Sequence, residues 1–319
     1  MISRLITISL FITLVFQILF IGCRKKENFD VTAYKKEIEE WRTKRVERLK
    51  SENGWLTICG LFWLKEGENI FGTDSSNVII LPSGKAQKFV GSIFLKDSVL
   101  RLEAQPQAKI KYKDSVVTSM IINSDADGNP TVLNLGSLNF YVIKRGEQIG
   151  VRVKDKDNPS RMNFKGLEYF PTNPIWRFEA KFEPYNPPKV IQIVNVLNKV
   201  SNDTCPGAIA FEFGGKMFQL DALREGKELF IIFADETSGK ETYGMGRFLS
   251  ADLPDSNNTV ILDFNKAYNP PCAFTVFATC PTPPEQNRLV LRIEAGEKKY
   301  ADSHHRETLL GRSLIVKMR

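Results

Sequence analysis

The sequence predicts a mainly β protein, an antiparallel sandwich or barrel with one helix on its N-terminal side. Three observations carry that expectation. From position 55 to position 297 the chain breaks into short apolar runs rich in Val, Ile and Phe, several alternating with polar residues. Turn formers such as Asn129-Pro130 and Asn158-Pro159 separate the runs. Ahead of them lies a single charged stretch with helical spacing, at 31–50.

The N-terminus reads as a targeting segment. Residues 1–22 contain Arg4 as their only charge and an apolar run at 5–21, the layout of an export signal. That run is just short of the roughly 18 apolar residues of a spanning helix. It stops at Ile21-Gly22-Cys23, which resembles the lipobox of exported lipoproteins. There a small residue admits the peptide to a narrow protease cleft, and the following thiol takes the lipid. We therefore expect a signal peptide at 1–22, lipidation of Cys23, and a polar tether at 23–30. The expected partner at this end is membrane lipid, and the expected location is the cell envelope, with the β body outside the cytoplasm. Arg24, Lys25 and Lys26 add a basic patch that helps a lipidated terminus hold an anionic surface.

Asp30 is placed to cap a helix over 31–50, where Tyr34, Ile38, Trp41, Arg45 and Leu49 recur three or four positions apart. Asn53-Gly54 ends it. Strands are then expected at 56–64, 78–81, 91–95, 99–104, 109–112, 117–122, 138–145 and 150–155. GENIFGTDSSNVIILP at 67–82, with the alternating strands after it, resembles the forkhead-associated sandwich. Thr73 stands where that family has its phosphate-binding arginine and no Ser-x-x-His follows, so phosphothreonine recognition is not expected. These elements make a first β subdomain at 31–158. Phe164, Tyr169, Phe170, Trp176 and Phe178, set among Pro and Asn, read as packing rather than an exposed platform. A second β subdomain is expected at 159–300, with strands at 176–182, 190–196, 208–214, 216–223, 228–235, 259–264 and 289–295, before a tail at 301–319.

Composition excludes several function classes. The 44 basic and 37 acidic residues give a net charge of +7, without the basic runs and interleaved aromatics of a nucleic-acid binder. Walker, dinucleotide and HExxH motifs are absent, so no cofactor is expected. His304 and His305, in the tail, are the only histidines, which excludes a His-based triad in the β body and leaves no metal site expected.

FADETSGKETYGMGRFL at 233–249, DFNKAYNPPCAFTVFATCPTPPEQNRL at 263–289 and GWLTICGLFWLKEGENIFG at 54–72 resemble a bacterial family of unknown function, domain number sixteen eighty-four. The resemblance runs from about position 41 to 298 and implies one family-wide architecture, with no activity attached.

Candidate chemistry falls into three groups. Asp235 and Asp263, with Arg247, can act as an acid–base pair or bind a ligand, or can pair internally. Arg145 and Arg152 offer guanidinium forks to an anion or to neighbouring acids. The loop Asp263–Cys272 holds Asn265, Tyr268 and Asn269 beside two prolines that restrict the backbone, which suits a polar-ligand site or a rigid corner. Cys272 and Cys280 are spaced to close a disulfide in an oxidising compartment. The leading reading is an envelope lipoprotein that binds a small molecule, a glycan or a protein. The alternatives are a hydrolase or lyase using the acidic, Arg and Tyr residues, and a structural lipoprotein.

Overall fold

A computed structural model describes residues 29–300. Cys23, the export signal and the tail histidines lie outside the described residues. Helix α1 spans Val31–Lys50, and Asp30 caps it by accepting from the amides of Thr32 and Ala33 at 2.8 and 3.0 Å. The chain divides into two compact units between Lys36 and Glu37, inside α1. Ile38 and Leu49, two members of the expected stripe, are fully buried. Among the described residues no helix is long and apolar enough to cross a membrane.

Among the described residues seventeen strands follow. They are β1 (Ile58–Trp63), β2 (Gly67–Gly72), β3 (Ile79–Ile80), β4 (Gly91–Lys96), β5 (Val99–Ala104) and β6 (Lys111–Tyr112). Next come β7 (Ser115–Val116), β8 (Ser119–Ile122), β9 (Leu133–Leu135), β10 (Leu138–Arg145) and β11 (Gln148–Asp155). The second half supplies β12 (Arg177–Val194), β13 (Val200–Phe213), β14 (Lys216–Glu225), β15 (Glu228–Phe233), β16 (Arg247–Asp252) and β17 (Thr259–Asp263).

A six-stranded sheet, β1-β11-β10-β9-β6-β7, faces a five-stranded one, β3-β2-β4-β5-β8. Their shared core includes Phe71, Ile93, Leu102, Phe140, Val151 and Val153. This first half is a two-sheet β-sandwich, within the fold class expected from the sequence. In β5 the buried residues alternate with exposed ones, as a half-solvated strand requires. In β11 the run from Ile149 to Val153 is buried throughout, because both faces of its sheet are covered.

The second antiparallel sheet, β16-β15-β14-β13-β12-β17, brings its end strands against each other and nearly closes into a barrel. Phe211, Phe233, Phe264, Leu220 and Leu262 fill it. Trp176 stacks on Phe213 at 4.7 Å, so this aromatic of the Pro-rich stretch serves packing. A third apolar cluster joins Leu49 and Leu56 to Phe164, Phe248 and the Cys272–Cys280 loop.

Three expectations need correction. The strands expected at 176–182 and 190–196 are one strand, β12. It tolerates Pro184, Pro187 and Pro188 because β17 covers only residues 177–181 on that side and a register break follows Pro184. The strand β16 was not expected, since its first residue is the charged Arg247. Conversely, 289–295 forms no regular strand. Its backbone is bound by buried side chains instead: the Ile293 amide donates to Asp235, and the Ile293 and Ala295 carbonyls accept from Arg247.

Candidate functional site

Of the readings open for Asp235, Asp263 and Arg247, the geometry is that of internal pairing. Arg247 and Asp235 are both fully buried at the side chain and meet at 3.1 Å. The carboxylate also accepts from the Thr237 hydroxyl at 2.9 Å and from the Ile293 amide at 2.8 Å. Burial pushes the Arg247 guanidinium below its ordinary value, with the Asp235 charge opposing that shift. Asp263 does not join this pair; it accepts from the Asn265 amide at 3.0 Å and caps a short turn. Asn265 in turn exchanges hydrogen bonds with the backbone of Asn173 at 3.0 and 2.9 Å, tying two loops together. These four residues hold backbone and line neither the cleft at Tyr268 nor the recess that adjoins it.

Tyr268 and Asn269 have a different setting. The Tyr268 backbone exchanges two 2.9 Å hydrogen bonds with Phe248, which fixes the direction of the ring. Asn269 is buried, its amide donating to Glu297 at 2.8 Å and its side chain to the Lys298 carbonyl at 2.8 Å. Arg45, reaching in from α1, pairs with the buried Glu297 at 2.8 Å and donates to the Asn269 carbonyl at 2.9 Å. Its guanidinium lies 4.8 Å from the centre of the Tyr268 ring. Burial raises the Tyr268 phenol, so it is a neutral hydrogen-bonding group at physiological pH.

Tyr268 opens onto a cleft of about 460 Å³. Trp41, Trp55 and Tyr268 supply ring faces, Phe230 and Phe248 add apolar wall, and Arg45, Arg48, Lys266, Glu225 and Glu228 supply charge. Lys266 is paired with Glu37 at 2.6 Å. Arg48 makes no ion pair among the described residues. A larger open recess of about 1140 Å³ adjoins it, sharing Glu225 and Phe230 and bounded by the Arg145–Gln148 turn. Only Tyr268 of the residues singled out from the sequence lines the smaller cleft. The helix residues Trp41, Arg45 and Arg48, and Trp55, were missed. One signal for them was available: Arg45 interrupts an otherwise apolar stripe, and a charge at a buried position needs a partner.

The two arginines on adjacent strands do not act together. Arg145 pairs with Asp125 at 2.8 Å at the hairpin end. Arg152, in mid-strand, is buried against Trp55 and Tyr141. Asp155, at the end of the same strand, pairs with Lys85 at 3.3 Å. The structure brings Cys272 and Cys280 together as buried, unbridged thiols, the Cys272 amide donating to the Cys280 sulfur at 3.1 Å.

The fold and this cleft define a two-part β protein: a sandwich followed by a nearly closed barrel, with an aromatic and charged recess walled by α1 and the barrel. Residues 162–298 match the family described as protein of unknown function, DUF1684. The motifs at 233–249 and 263–289 fall inside that match, and the one at 54–72 lies outside it. Among solved structures the chain is similar to an uncharacterized protein of Haloarcula marismortui determined by solution NMR. The two are 31% identical over 43% of this chain and 78% of that one, with a TM-score of 0.37. No curated protein matches the chain.

Proposed function

We propose that this protein is an exported lipoprotein whose β body binds a small polar ligand bearing a ring face, such as a glycan fragment. The observation that carries this reading is the cleft in which Trp41, Trp55 and Tyr268 stand beside Arg48, Glu225 and Glu228. Aromatic faces pack on the C–H faces of a sugar, and guanidinium and carboxylate groups satisfy its hydroxyls with directional bonds. The hydrolase reading needs Asp235, Asp263 and Arg247 at a cleft, and their side chains are spent on backbone.

The test is a titration with neutral, amino and acidic mono- and disaccharides, followed by intrinsic tryptophan fluorescence. Saturable binding that weakens at least tenfold in Tyr268→Ala and in Trp41→Ala supports the reading. Binding that both variants leave unchanged removes the cleft from it. The lipid anchor rests on Ile21-Gly22-Cys23 and is tested separately. Labelled fatty acid should enter the wild-type chain and be absent from Cys23→Ser, and label persisting in the variant would refute the anchor.

A further inference from the structure

Strand β11 turns Val151 and Val153 into the sandwich core, so Arg152 and Lys154 emerge together on the opposite face. Arg152 sits there between Leu61 of β1 and Tyr141 of β10 in the strand register. It is 3% exposed. Its guanidinium lies 5.3 Å from the Trp55 ring and 6.0 Å from the Tyr141 ring, and Nη1 donates to the Tyr141 hydroxyl at 3.3 Å. Nε and Nη2 are buried and have no hydrogen-bond partner among the described residues. Those two nitrogens form one edge of the guanidinium, the edge that grips a carboxylate or phosphate with two parallel hydrogen bonds.

Lys154 stands two residues along the same face. Its amine donates to the Asn53 carbonyl at 2.8 Å and lies 5.3 Å from the Tyr141 ring. Burial, and then the positive charge of Arg152, push that amine down to about 8. Neither cation makes an ion pair among the described residues. The other buried arginines behave differently: Arg45 meets Glu297 and Arg247 meets Asp235. An unpaired buried cation with two orphan donors is costly, and a second cation beside it adds to that cost.

We infer that Arg152 and Lys154 form the seat of an oxyanion, a phosphate, sulfate or carboxylate group held at the free Nε/Nη2 edge beside the Trp55 and Tyr141 rings. The site is separate from the ring-stacking cleft, with which it shares Trp55. It completes both cations with the charge they lack, and Trp55 joins it to the place where the rest of a ligand would lie.

The experiment uses the full chain dialysed into chloride buffer and titrated with inorganic phosphate, sulfate and acetate. Tryptophan fluorescence and melting temperature are followed together. At least one oxyanion should give a saturable fluorescence change and raise the melting temperature. A phosphate response well above the acetate one assigns a phosphoryl-type group, and the reverse order a carboxylate. Arg152→Gln should abolish the effect, and Lys154→Met should weaken it at least tenfold. Should Arg152→Gln fail to fold, Arg152→Lys keeps the charge without the fork and should also lose at least tenfold. Tyr268→Ala should respond as the wild type, so failure of the cleft reading leaves this site standing. No saturable response to any of the three anions overturns the inference, as does Arg152→Lys binding as tightly as the wild type.

Discussion

Asp235→Asn tests whether the buried ion pair is scaffold. In the wild type Arg247 has one carboxylate partner, Asp235 at 3.1 Å, and otherwise donates to the carbonyls of Ile293 and Ala295. The amide removes the charge and leaves a guanidinium buried with neutral partners only. It also turns one acceptor into a donor at a place where the Thr237 hydroxyl and the Ile293 amide both donate. With the nitrogen at the Oδ1 position Arg247 Nη2 loses its acceptor, and with it at the Oδ2 position the Ile293 amide does. Breaking one side of a buried pair costs about 3–5 kcal/mol. At roughly 2–4 °C per kcal/mol for domains of 150–250 residues, the melting temperature should fall by about 6–20 °C, near the lower figure for a longer chain.

Urea unfolding at pH 7, followed by circular dichroism, reads this as a lower midpoint with little change in slope. A cycle with Arg247→Met and Asp235→Leu extends the test. The double variant still orphans the Ile293 amide and two carbonyls, so it remains less stable than the wild type. It should nevertheless be about 1–3 kcal/mol better than the sum of the two single losses, because the lone buried charge is gone. Asp235→Asn within 1 kcal/mol of wild type would refute the reasoning and return Asp235 to the candidates for chemistry.

Three further outcomes follow from the geometry. Below pH 8 the Lys154 amine is a buried charge, and between about 8 and its ordinary 10.5 the unfolded chain holds more protons there than the folded one. In chloride buffer wild-type stability should therefore rise relative to Lys154→Met across that window, and denaturation curves diverging the other way would contradict the burial argument. Gly246 has φ +89°, and a Cβ there would come within 2.6 Å of the Phe233 carbonyl, so Gly246→Ala should cost more than about 2 kcal/mol; a melting temperature equal to wild type would refute this. Any disulfide among the described cysteines should join Cys272 to Cys280, since Cys59 packs against the sandwich core and Cys205 is fully buried on β13. Peptide mapping that finds Cys59 or Cys205 cross-linked would rule this out.

Much of the fold was legible because its signals are local. The helix 31–50, its Asp30 cap, β5 and β10 have the bounds that periodicity and turn residues imply. The failures arise where distant side chains replace the local rule. The run 289–295 has strand-like residues, yet Asp235 and Arg247 take its backbone groups before another strand can. Strand β16 opens on the charge that does this, and its sequence pattern hides it for the same reason. In the loop at 263–272 Tyr268 lines the cleft, while its neighbour Asn269 is buried and holds backbone.

Three buried arginines show why the site was harder to read than the fold. Arg152 and Arg247 lie beside apolar residues in the sequence, and Arg45 falls on the apolar stripe of an otherwise charged helix. Their roles differ through partners. Arg247 finds its carboxylate 12 positions away and Arg45 finds one 252 positions away, and each is thereby spent on holding backbone. Arg152 finds an aromatic hydroxyl and two rings, keeps its two-nitrogen edge free, and has a lysine rather than an acid beside it on the same face. No residue-type pattern separates these cases, because the pairing is decided by which strands the topology sets side by side. Once they are side by side, charge balance distinguishes them: a paired buried arginine belongs to the scaffold, and an unpaired one asks for an anion.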